Sequence, residues 1–220
     1  MEKHLQDRIK ARARTYSCTD DPTHDWSHIQ RVLDNACYIA GREGGDLDVI
    51  IPAVYFHDAI NHPKNDPRAD LAPQESADAA ENELMAITDY PHEKIPTVKT
   101  AIIEHSYGAG ITPTLLESKI VQDADRLEAT GALSIMRTFC SCGQYKSQFY
   151  HTTDPFCQDR EPEPLKYALD LFYARLLKVK ERMNTQTARD LAERRTEFLK
   201  IFLNEVQNEL SVCEQIEKTN

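Results

Sequence analysis

At 220 residues, with 26 lysines and arginines against 36 aspartates and glutamates, the chain carries a formal net charge of −10. That balance disfavours a surface for duplex DNA, other polyanions or anionic membrane, while leaving room for a small phosphorylated ligand held by a metal and local cations. No apolar run approaches the roughly 20 residues of a membrane span. The polar start, Met1-Glu2-Lys3-His4-Leu5-Gln6-Asp7-Arg8, has no signal-peptide core. Of six cysteines only Cys140 and Cys142 lie close together, so they read as reduced thiols of a cytoplasmic protein rather than as a zinc clip.

In chain order the sequence reads as helix after helix, because seven glycines and few alternating β-branched runs leave little for a sheet. A polar amphipathic helix is expected over about 3–15. Turn chemistry at Cys18-Thr19-Asp20-Asp21-Pro22 follows, and Asp25 or Ser27 then caps a helix to about Gly41. Gly44-Gly45 separates it from a helix over about 48–58, in which Pro52 is tolerable within the first turn. Two prolines make Asn61-His62-Pro63-Lys64-Asn65-Asp66-Pro67 a rigid loop. Further helices are predicted over about 73–89, 93–106, 114–139, 165–182 and 186–211, with a long loop or lid from Cys140 to Pro164.

Three of these helices deliver a polar side chain inward. His28 shares a face with Val32, Ala36 and Ile39, and Asp58 follows Val54 by four residues in Val54-Tyr55-Phe56-His57-Asp58. Asp125 follows Val121 by four in Ile120-Val121-Gln122-Asp123-Ala124-Asp125-Arg126-Leu127. A single inward histidine is ordinarily a satisfied core residue. Histidine, histidine-aspartate and aspartate together would each cost a few kcal/mol or more if unpaired, and one divalent ion compensates them at once.

The spaced His28, His57-Asp58 and Asp125 set, with Asp123-Ala124-Asp125-Arg126-Leu127, resembles the HD-domain superfamily of metal-dependent phosphohydrolases over roughly residues 20–140. Phe56-His57-Asp58, then Pro63-Lys64-Asn65, then Asp123-Ala124-Asp125-Arg126-Leu127-Glu128-Ala129-Thr130-Gly131-Ala132 is similar to a bacterial branch of small HD hydrolases that act as nucleotide pyrophosphohydrolases. The resemblance implies an all-α fold and a single domain, 1–220, with helices over about 165–211 packed on the core. It implies a metal held by His28, His57, Asp58 and Asp125, manganese by preference, with magnesium, iron, cobalt, nickel and zinc also compatible. His24-Asp25 is a second histidine-aspartate pair, and His24 reads as a cap or rim residue. Asp123 points to another side of its helix and reads either as a support behind the metal ligands or as structural.

Many HD nucleotidases and stringent-response hydrolases carry an acidic residue three positions after the paired aspartate. Asn61 stands there, with no useful proton affinity. The catalytic candidates are therefore Asn61 as the occupant of that position and His105 as a base, unless metal-activated water needs no base. Lys64 is the first phosphate handle, with Arg68 and Arg126 behind it. The expected substrate is a nucleoside triphosphate, cleaved to monophosphate and pyrophosphate. No nucleic-acid polymer or membrane partner is expected, and a homodimer is compatible. Alternatives are a 5′-nucleotidase or other phosphomonoesterase and a helical regulatory metal-binding domain; a dinuclear oxygenase would need further histidines, and the spacing of His62, His92 and His105 does not argue for it.

Overall fold

The computed structural model describes residues 1–16, 25–62, 66–106 and 110–217, with side chains to Ser211. Among them there is no strand, only an isolated bridge between Gln148 and Tyr167. No described helix is long and apolar enough to cross a membrane. The chain divides into two compact units, Met1–Glu128 with Asn184–Ala188, and Ala129–Met183 with Arg189–Asn220.

The first unit holds α1 (Lys3–Ala13), α2 (Trp26–Glu43), α3 (Leu47–Phe56), α4 (Ala72–Met85), α5 (Ile95–His105) and α6 (Leu116–Arg126). α1 buries Leu5, Ile9 and Ala13, one per turn. At the start of α2 the capping residue is Asp25, whose carboxylate accepts from the His28 amide at 3.0 Å; Ser27 instead donates to Asp25. The buried face of α2 runs through His28, Val32, Ala36 and Ile39, as its spacing predicts.

α3 differs from expectation at both ends. It begins at Leu47, so Pro52 falls in the second turn, where a proline leaves the carbonyl four residues back without its helical donor. That carbonyl is Asp48 O, and the Tyr90 hydroxyl donates to it at 2.8 Å. The helix is buried from Val49 to Phe56, which suits its continuous apolar sequence. It ends at Phe56, with His57 as its C-terminal cap, so Asp58 projects from the following turn rather than from the helix face.

The predicted helix over 114–139 is two helices. After α6 a 3₁₀ turn, Leu127–Ala129, leads to Thr130 in extended conformation and Gly131 at φ +69°, which opens α7 (Gly131–Tyr145). A left-handed residue cannot continue a right-handed helix, and a Cβ on Gly131 would also come within 3.2 Å of the Arg195 side chain. α7 runs into the segment expected to be loop, stopping at Lys146 in left-handed conformation.

The expected helix over 165–182 is a short α8 (Asp170–Ala174) and a 3₁₀ run, Leu176–Arg182, interrupted at Arg175, whose φ and ψ are −137° and −58°. α9 (Gln186–Glu217) closes the described chain. The second unit's core is Leu169, Phe172, Leu176, Leu199 and Leu203. Cys37, Cys140, Cys142 and Cys157 are free thiols.

Candidate metal centre

The first unit brings His28, His57, Asp58, Asp125 and His105 into one cluster, in which His28, His57 and Asp125, and separately His57, Asp58 and His105, place ligand-type atoms within 4.8 Å of one another. Each element supplies its residue for a local reason. α2 turns His28 inward with its apolar face, and α3 carries its buried run directly into His57. α5 ends on His105, and α6 presents Asp125 in its last turn.

The imidazoles are buried, and each turns Nδ1 outward and Nε2 inward. His57 Nδ1 meets the Val54 carbonyl at 2.7 Å, His105 Nδ1 meets the Ile102 carbonyl, and His28 Nδ1 lies 3.4 Å from Glu128 Oε2. Their Nε2 atoms therefore face the carboxylates. His28 Nε2 is 3.5 Å from Asp125 Oδ1 and 3.9 Å from Asp58 Oδ2; His57 Nε2 is 3.4 Å from Asp58 Oδ2; His105 Nε2 is 3.7 Å from Asp58 Oδ1. Nδ1 engaged to a carbonyl or carboxylate, with Nε2 directed at a common point, is how metal-binding imidazoles are held in one tautomer.

Electrostatics match this donor set. Burial disfavours charge on His57, yet Asp58 and Asp125 outweigh it and push the imidazole up to about 9. Burial likewise opposes ionisation of Asp58, but His57 and His105 hold its carboxyl well below the usual range. His57 Nε2 is buried and makes no hydrogen bond among the described residues. A divalent cation fits such a centre: it completes the ring nitrogen and is neutralised by two carboxylates.

Glu128 was missed by sequence reasoning. It is buried, receives Arg31 Nε at 2.8 Å and Nη2 at 2.7 Å, and stands behind His28. Burial raises its carboxyl, but His28 and Arg31 more than compensate and bring it to about 2. Two sequence signals were present: its place in the Asp123–Ala132 segment, and an arginine one helical turn after His28. Asp123 faces away from the cluster, accepting from both the backbone and side chains of Asn184 and Thr185.

The remaining candidates are placed differently. Lys64 and His24 lie outside the described residues. Asn61 is exposed. Arg68 is exposed and held in its own loop by Asp66, with Nη2 to Oδ2 at 2.8 Å. Arg126 is partly buried; burial lowers its guanidinium, opposed by Asp123 and Asp125. Of the three spare histidines, His62 pairs with Glu75 and His92 bonds the Ile87 carbonyl at 3.0 Å, while His105 joins the cluster.

Comparison with known proteins agrees with this geometry. Residues 25–130 match the HD domain family, a span that includes His28, His57, Asp58, His105 and Asp125. The chain is 32% identical over 194 residues to YpgQ of Bacillus subtilis, covering 87% of each chain. A crystal structure of Bacillus subtilis YpgQ in complex with ADP superposes with a TM-score of 0.70 at 29% identity, over 94% of this chain and 95% of that one. An HD-superfamily hydrolase from Bacillus thuringiensis superposes with a TM-score of 0.74 at 29% identity, over 96% of this chain and 99% of that one. With the histidine and aspartate cluster in place and relatives matching nearly end to end, the chain belongs to the HD-domain superfamily of hydrolases.

Proposed function

We propose that this protein hydrolyses nucleoside triphosphates between the α and β phosphorus atoms, releasing pyrophosphate, with His28, His57, Asp58 and Asp125 holding a divalent cation, manganese by preference. The observation that carries the reading is the convergence of buried Nε2 atoms and two carboxylates on one point. The nucleotide class is supported by the ADP complex of the YpgQ relative. When bound, the cation supplies Lewis-acid polarisation of a phosphoryl oxygen and a water acidic enough to attack near neutral pH.

The chain's own residues do the rest. Glu128 and the Val54 carbonyl orient His28 and His57, so their Nε2 atoms stay directed inward, where a cation would displace the proton that His57 carries. His105 presents Nε2 beside Asp58, where it can hold or pass on a proton from the attacking water. Lys64 keeps the phosphate-binding role that its sequence context implies, with Arg126 behind it. Arg68, tied to Asp66, serves only if that pair opens.

The reaction is tested by incubating manganese-loaded protein with nucleoside triphosphates and following products by phosphorus NMR. Monophosphate and pyrophosphate are expected. A diphosphate with orthophosphate would mean the other anhydride bond, and activity confined to monophosphates would establish the nucleotidase alternative.

A further inference from the structure

Just ahead of α9 and through its first residues the chain returns to the first unit, as Asn184–Ala188. Among the described residues this segment supplies nothing to the metal cluster, yet it is fastened to buried side chains close to it in sequence. Asp123 accepts from Asn184 N at 2.9 Å, Asn184 Nδ2 at 2.8 Å, Thr185 N at 2.7 Å and Thr185 Oγ1 at 2.8 Å. Gln122 Oε1 accepts from the same Asn184 Nδ2 at 2.9 Å. The segment is also held further on, where Thr187 N donates to Glu43 Oε1 at 2.7 Å.

The two side chains joined by Asn184 lead to different parts of the cluster. Asp123 lies in the last turn of α6, so anchoring it anchors the backbone that carries Asp125. Gln122 reaches across to α5, where its Nε2 donates to the Glu104 carbonyl at 2.9 Å. That carbonyl is among the last four of α5, which have no donor within the helix, and the next residue is His105. Gln122 thus caps the turn that presents His105. The amide orientations follow from partners that can only accept: the Asp123 carboxylate for Asn184, and the Glu104 and Ile111 carbonyls for Gln122. One carboxamide nitrogen carries two protons, one for each acceptor, and both Gln122 and Asp123 are buried from water.

We infer, on the reading of the cluster as a cation site, that Asn184 is a positioning residue of the metal centre. It holds the turns of Asp125 and His105 in register through Asp123 and Gln122. Without its amide, two buried acceptors are each one donor short, and they find new partners only by moving. Isothermal titration of the metal-free full chain with manganese reads the effect without turnover. Asn184→Ala is expected to bind about tenfold more weakly, the low end of what the outer partners of metal ligands contribute, with the far-UV helical signal retained. Gln122→Ala should also bind more weakly, and it carries the test if Asn184→Ala fails to fold. The double variant should lose less than the product of the two single losses, because both changes cut one relay. Tyr90→Phe loosens the same unit at the opposite end of α3 from His57, and its manganese affinity should equal that of wild type. A wild type that binds no manganese would overturn the cation site and this role together. A wild type that binds, with Asn184→Ala or Gln122→Ala binding equally well, would overturn this role alone. Equal weakening in Tyr90→Phe, or fully multiplicative losses in the double variant, would overturn it too.

Discussion

Glu128 Oε2 lies 3.4 Å from His28 Nδ1 and also receives Arg31, so a buried carboxylate clamped by a guanidinium fixes the ring that faces Asp125. A metal ligand's affinity depends on such a partner, because it sets the tautomer and raises the basicity of the opposite nitrogen. Glu128→Gln is therefore expected to weaken manganese binding by about 10- to 100-fold with the helical content unchanged. Isothermal titration of the metal-free protein reads this directly. Unaltered affinity would mean that His28 is oriented by packing alone.

The bond from Tyr90 to the Asp48 carbonyl gives a second prediction, this time on stability. Tyr90 is buried, and removing its hydroxyl leaves an acceptor that Pro52 has deprived of its helical donor. Tyr90→Phe should cost about 1 kcal/mol in denaturant unfolding, the ordinary worth of a hydrogen bond, because the pair is only partly buried. In a Pro52→Ala background, where the backbone N–H returns, the same change should cost measurably less. Equal losses in the two backgrounds would show that the hydroxyl's contribution is independent of the proline.

Asp170 in the second unit is fully buried; Arg160 Nη2 donates to Oδ1 at 2.7 Å and the Glu163 amide to Oδ2 at 2.7 Å. Burial alone would raise this carboxyl, but Arg160 and the amide lower it below its ordinary value. A carboxyl depressed in the folded state stabilises above its unfolded pKa of about 3.9, and loses that contribution as pH falls toward the folded value. Asp170→Asn should therefore be less stable than wild type by about 1–3 kcal/mol at pH 7, with Arg160's partial exposure moderating the loss. The gap should narrow below pH about 4. A gap constant from pH 7 to 3 would assign the effect to packing rather than charge.

What could be read in advance follows the range of the interactions. The inward placement of His28 is a local matter of spacing to Val32, Ala36 and Ile39, and the structure places all four residues on the buried face. The all-α class follows from composition and periodicity in the same way. Glu128 was overlooked despite its place in the Asp123–Ala132 segment, because its partners His28 and Arg31 stand 100 and 97 residues away and only the fold joins them. Pro52 was assigned to a first turn because nothing nearby reveals that Tyr90, 42 residues beyond Asp48, supplies the missing donor. The break at Thr130-Gly131 was hidden because the apolar pattern continues through it, and only the backbone angles show that the helix cannot.

The central claim is that the clustered histidines and aspartates hold a metal ion, and elemental analysis of untagged protein, wild type beside His57→Ala and Asp58→Ala, tests it most directly. The account predicts about one divalent ion per wild-type chain and loss of that ion in both variants, each keeping its far-UV helical signal. Full metal occupancy in either folded variant would contradict it.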